Sequence, residues 1–145
     1  MAAPKRMVGH DRILKALQDM PQAAALAAVK VLDGGAADMV RTAKGFAPRD
    51  EGNLVESIRE DPGEHPLQRV VEAGGPLTEA EFGVRAASGV AYDYAIAQEF
   101  GTEKMTANPF FWPAYRFMKK PMLNRMMRAW RKALREAWGG NGTVK

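Results

Sequence analysis

The chain has 145 residues, no cysteine, and 21 Lys plus Arg against 17 Asp plus Glu. A chain of this size can bury roughly 70% of its unfolded surface in one domain, and the missing cysteines exclude a disulfide framework and thiolate chemistry. The opening Met1-Ala2-Ala3-Pro4-Lys5-Arg6 lacks the apolar run of a secretory signal, and the longest apolar run, 23–29, is too short to cross a bilayer. A soluble single domain over 1–145 is therefore expected, with flexible ends at about 1–9 and 139–145 and no membrane contact.

The charges are segregated. From Arg116 onward the cations are Arg116, Lys119, Lys120, Arg125, Arg128, Arg131, Lys132, Arg135 and Lys145, opposed by Glu136. Residues 50–64 lean the other way, with Asp50, Glu51, Glu56, Glu60, Asp61 and Glu64. Opposite poles suit head-to-tail contact between copies or binding to a polyanion, and solvated faces give the same pattern.

In chain order, Ile13, Leu14 and Leu17 predict a short first helix over 11–19, and Pro21 suits the start of a second. Leu26, Val29, Leu32, Ala36, Met39, Val40, Ala43 and Phe46 then keep helical rhythm to about 46. Gly34-Gly35 interrupts propensity but not phase, so a long helix of about 35 Å is expected, with the glycines admitting a bend or a close neighbour. Gly45 and Pro48 are stop signals. Strands are expected at Leu54–Glu60, at Gln68–Ala73, and at Ala80–Ala86, where alternation is cleanest. Gly74-Gly75-Pro76 and Ala87-Ser88-Gly89 supply turns. Tyr92–Phe100 reads as a short helix closed by Gly101.

Asn108-Pro109 resembles a helix start, but Pro113 follows closely, so 109–112 is expected as a separate turn. A last helix then runs to about Trp138, kinked near Lys120 by Pro121. On it Leu123, Met127, Trp130, Leu134 and Ala137 form a stripe fit to pack on a sheet or another helix. The fold class is α+β: a long N-terminal helix, a small antiparallel β-sheet of three to four strands, a short helix and a long kinked C-terminal helix.

Signs of chemistry are sparse. His10 and His65 lack partners at metal-ligand spacing. Ser57, Asp61 and His65 can be written as a triad, but no nucleophile elbow surrounds Ser57. No phosphate-cradling loop occurs. The methionines, crowded at Met118, Met122, Met126 and Met127, fit either gap-filling core or an adaptable contact surface. The basic last helix could neutralise phosphates as a nucleic-acid-binding module, although no recognised nucleic-acid motif accompanies it.

Three ordered motifs go further. "FAPRDEGNLVESI" contains Ala47, Pro48, Gly52, Leu54, Ser57 and Ile58. "YAIAQEFGT" supplies Tyr94, Ala95, Glu99, Phe100, Gly101 and Thr102. "ANPFFWPA" supplies Ala107, Pro109, Phe110, Pro113 and Ala114. In this order they resemble the tail-completion or head–tail joining (tail component, neck) family of long-tailed bacteriophages, over about residues 20–135. Gln98, where the family often has an apolar residue, and Trp112 depart from the pattern.

The resemblance implies a structural virion protein without catalytic activity, cofactor or metal. It implies a cyclic homo-oligomer, commonly a hexamer, at the particle neck, assembled in the bacterial cytoplasm. Partners would be a head adaptor, connector or stopper on one side and a tail terminator or tail-tube protein on the other. DNA could pass through without sequence-specific contact. A neighbouring tail-terminator or morphogenesis role is the alternative within the same setting, and phage, prophage and gene-transfer particles are all compatible. In such a ring Phe110, Phe111 and Trp112 would be either interface anchors or the cap of the core. Glu99 would hold the turn or an adjacent subunit by a hydrogen bond.

Overall fold

The computed structural model describes residues 10–49, 52–80 and 92–139. Its elements in order are α1 (His10–Phe46), α2 (Asn53–Ser57), β1 (Arg59–Pro62), β2 (Arg69–Glu72), β3 (Glu79–Ala80), β4 (Tyr92–Asp93), α3 (Tyr94–Phe100) and α4 (Phe111–Gly139). The long helices α1 and α4 pack along each other, and β1 and β2 lie against α1.

Helix α1 is continuous over 37 residues with Pro21 inside it, which corrects the expected break at that proline. A proline removes one N–H and crowds the preceding turn, a local loss that the helical sequence on either side outweighs. Along the face turned to the core, Ala28, Gly35, Ala36, Met39 and Ala43 are buried at helical spacing. Of the glycine pair, Gly34 faces open space, whereas a Cβ on Gly35 would run into the Met122 sulfur of α4. The pair therefore serves as a close neighbour's seat. Beyond Phe46 the Ala47 N–H still bonds the Ala43 carbonyl at 2.9 Å before Pro48 ends the run.

The expected strand over Leu54–Glu60 divides into α2 and the beginning of β1. Leu54, Ser57 and Ile58, all buried, stand three and four residues apart, which is helical spacing. Strands β1 and β2 pair antiparallel, from Arg59 opposite Glu72 to Pro62 opposite Arg69. Strands β3 and β4 form a second, separate two-stranded ladder. Among the described residues there is thus no single sheet of three to four strands. The alternating segment Ala80–Ala86 lies outside the described residues apart from Ala80 in β3, as does the turn at Ala87-Ser88-Gly89. So do the expected flexible ends, except Gly139, which closes α4.

Helix α4 also departs from expectation at its start. It begins at Phe111, and Pro113 sits within its first turn rather than after a separate turn. Pro121 lies inside the helix, which continues through it. The core gathers Met39, Ala43, Ala47, Leu54, Ile58, Ala95, Phe110, Ala114 and Met118.

Much of that core is alanine. Small side chains let α1 and α4 approach closely, and Arg125 of α4 bonds Asp38 of α1 at 2.6 Å across the seam. The expected packing stripe on α4 is the wrong face. Of the stripe, Leu123, Met127, Trp130 and Leu134 are exposed and Ala137 is partly covered, and Met122, Arg125, Met126, Ala129 and Ala133 are the partly covered face.

Candidate assembly site around Glu99

Three short polar nodes hold together the region where α2, α3 and the start of α4 meet. The first is Ser57, 1% exposed. Its hydroxyl donates to the Leu54 carbonyl at 2.7 Å and accepts from the Gly74 N–H at 3.1 Å, tying α2 to the turn after β2. Both bonds go to backbone. His65 lies exposed near the β1–β2 turn, where its Nδ1 accepts from the Leu67 N–H at 3.1 Å. The Ser57-Asp61-His65 triad is therefore not assembled.

The second node is Asp93, the residue before α3. One carboxylate oxygen accepts from the Ala95 N–H at 2.8 Å and from the Thr78 hydroxyl at 2.7 Å. The other accepts from the Gly75 N–H at 3.0 Å. Burial pushes its pKa up, but the hydrogen bonds from Thr78, Gly75 and Ala95 together outweigh that and hold the carboxyl below its ordinary value of 3.8. Asp93 lies outside the three sequence motifs. The signal was available, since an aspartate just before a helix is a common N-cap.

The third node is Glu99, buried in the last turn of α3. One oxygen of its carboxylate accepts from the Phe110 and Phe111 N–H groups at 2.8 and 2.9 Å, and the other from Trp112 N–H at 3.0 Å. A helix start leaves N–H groups unsatisfied, and its dipole favours negative charge there. Glu99 supplies both remedies from another element. Pro113 comes next and has no N–H to satisfy, and the Ala114 N–H then closes on the Phe110 carbonyl at 3.3 Å. Each N–H from Phe110 to Ala114 is thereby accounted for, so Asn108 is not needed as the cap.

Between α3 and α4 the chain reverses at Gly101, whose φ is 76° and whose N–H bonds the Ala97 carbonyl at 2.7 Å. A Cβ at Gly101 would sit 2.9 Å from the Ala107 backbone nitrogen, so a side chain is excluded there by space as well as by φ. Thr102 pairs with Met105 across the tip, and the Asn108 N–H returns to the Gln98 carbonyl at 2.8 Å. This loop carries the backbone of Phe110 back to Glu99.

The aromatics then divide. Phe110 is 1% exposed and enters its own core, Phe111 packs against it, and Trp112 is 46% exposed. Their rings step edge-to-face from Phe110 through Phe111 and Trp112 to Tyr115. Beside them an open groove of about 500 Å³ is lined by Val71, Ala73, Ile96, Phe100, Phe111 and Trp112, with Arg59 and Glu72 on it.

Other motif residues build the frame. Ala47, Leu54, Ile58, Ala95 and Ala114 are buried, Pro48, Tyr94 and Pro113 are partly covered, and Gly52 precedes α2 with φ of 83°. Phe100, Thr102 and Pro109 are exposed. Of the basic residues, Arg116, Lys119, Lys120, Arg128, Arg131, Lys132 and Arg135 are exposed on α4. Arg125 belongs to the α1–α4 seam through Asp38. No group of acids and histidines that could hold a metal ion, and no helix long and apolar enough to cross a membrane, occurs among the described residues.

The arrangement orders backbone and presents apolar surface. Residues 11–101 match the family described as "Bacteriophage HK97-gp10, putative tail-component". No curated protein and no solved structure gives a significant match. The matched span runs from α1 through Glu99 and Gly101 and stops before the Ala107–Ala114 motif and α4. It covers well over half of the chain, and the chain belongs to this family of structural phage tail components.

Proposed function

We propose that the protein works at the neck of the particle, as a cyclic homo-oligomer of six copies that completes the tail and joins it to the head. A head adaptor, connector or stopper would lie on one side, and a tail terminator or tail-tube protein on the other. The observation that carries this reading is an inversion of the usual apolar distribution. The described core is rich in alanine, while Phe100, Phe117 and all three tryptophans, Trp112, Trp130 and Trp138, are exposed. Scattered apolar residues on a surface are ordinary, but aromatic side chains gathered along one helix mark contact with other proteins.

Native mass spectrometry of the purified protein and labelled imaging of particles test it. A six-copy species, and label confined to the head–tail junction, are the expected results. Label along the tail shaft, or particles without the protein, would refute it.

A second reading has its own observation. Lys120, Arg128, Arg131 and Arg135 are exposed on α4 and make no ion pair among the described residues. They suit sequence-independent contact with DNA passing through such a ring. DNA titrated at several salt concentrations should show affinity falling linearly on a log–log plot. Absence of binding at low salt removes this reading.

A further inference from the structure

Leu123, Met127, Trp130, Leu134 and Trp138 follow one another four, three, four and four residues apart on α4, and all five are exposed. The opposite side of α4, at Arg125, Ala129 and Ala133, is the one turned to α1. The helix therefore has two apolar faces, one of small residues spent within the subunit and one of large residues left uncovered. The uncovered face lies outside the span matched to the family.

We propose that this face docks onto a second copy of the same chain, head to tail, against the β1–β2 hairpin and the groove beside it. The proposal rests on the reading that the chain assembles with itself, and it names the two surfaces that meet. Charge decides the partner surface. Arg128, Arg131 and Arg135 flank the apolar stripe and are exposed. If α4 paired with α4 of another copy, these like charges would be brought together across the contact, which is destabilising. The hairpin offers the opposite sign in Glu60 and Glu64, both exposed and without an ion pair among the described residues, while Asp61 and Glu72 already pair with Arg59.

The hairpin end also offers apolar surface. Glu72 stands on the rim of the groove whose walls include Ile96 and Phe100, themselves 61 and 67% exposed. A concave apolar wall with Glu60 and Glu64 on the hairpin beside it is the complement of a convex apolar ridge edged with cations. Large aromatics buried in such pockets dominate interface energetics. Contact between two different patches of one chain is heterologous, and heterologous contacts make a ring when the rotation closes and an open filament when it does not.

The test silences one face at a time in the full chain. One variant carries Met127→Gln, Trp130→Gln and Leu134→Gln, and the other carries Glu60→Lys and Glu64→Lys. All five positions are exposed, and unchanged far-ultraviolet circular dichroism and melting would verify each fold. Each variant alone should self-associate about tenfold or more weakly than the wild type in sedimentation velocity. Mixed in equal amounts, the two should form a two-copy species, because each still has the face the other lacks.

Wild-type assembly by the α4 variant would overturn this assignment of surfaces and leave the ring reading standing. A hairpin variant that dimerises by itself would show α4 pairing with α4 and overturn the head-to-tail arrangement. A wild-type chain that stays single at every concentration would overturn the inference together with self-assembly.

Discussion

The two ends of α4 are built on opposite plans. Toward its start, Ala114 and Met118 are buried, and Glu99 collects the backbone N–H groups of Phe110, Phe111 and Trp112. From Leu123 to Gly139 no residue is fully buried, and the largest side chains face outward. The proximal end spends its residues on holding the subunit together. The distal end packs Arg125, Ala129 and Ala133 toward α1 and leaves its large side chains uncovered, and on the proposed reading those are kept for a second copy.

Substitutions should separate the two ends sharply. The largest effect is expected from Phe110→Ala, which empties a core position and should cost about 3–5 kcal/mol in urea unfolding followed by circular dichroism. Glu99→Ala comes next, at about 2–3 kcal/mol, because it strands backbone N–H groups in a covered place. Glu99→Gln keeps one acceptor oxygen and should lose less. An alanine variant as stable as the wild type would mean that α4 starts without help from α3.

The pH dependence sharpens the same end. The Asp93 carboxyl is held below its ordinary value of 3.8 in the folded chain. Its contribution to stability is therefore complete above that value and disappears as pH falls through the lowered folded value. Unfolding measured from about pH 5 down to pH 2 should show a loss that Asp93→Asn reduces. The smallest effect belongs to the distal end, where Trp130→Ala or Leu134→Ala should change subunit stability by less than about 0.5 kcal/mol. A loss of about 2 kcal/mol there would break the contrast, since it would place those side chains in a packed interior.

The contrast was only half legible in the sequence. Helical phase gave α1, α3 and α4, and Gly101 announced its turn, because these depend on neighbours a few residues away. Three features did not follow from local pattern. Leu54, Ser57 and Ile58 carry helical spacing in a segment too short to show it beside the extended Arg59–Pro62. Glu99 is expected to hold the turn or an adjacent subunit by a hydrogen bond, but which N–H groups it takes depends on a loop that returns Phe110 to it eleven residues later. The stripe of Leu123, Met127, Trp130, Leu134 and Ala137 has the spacing of a packed face, yet its four large residues are exposed, because spacing does not tell which side of α4 meets α1. Against α1, whose contact face includes Gly35, Ala36 and Ala43, alanines and unbranched side chains such as Met118 and Met122 fit. Asp93 was missed although its position before a helix gave the clue.

The positions of the tryptophans have an optical consequence. Trp112, Trp130 and Trp138 are all on α4, at 46, 39 and 54% exposure, and they are the chain's full complement. Indole emission shifts to shorter wavelength when the ring leaves water, and here each ring starts partly in water. Intrinsic fluorescence should accordingly be a weak witness to unfolding, because the packed aromatic of the core is Phe110. It should instead follow coverage of α4, giving an unlabelled subunit its own spectroscopic record of the moment a neighbour arrives.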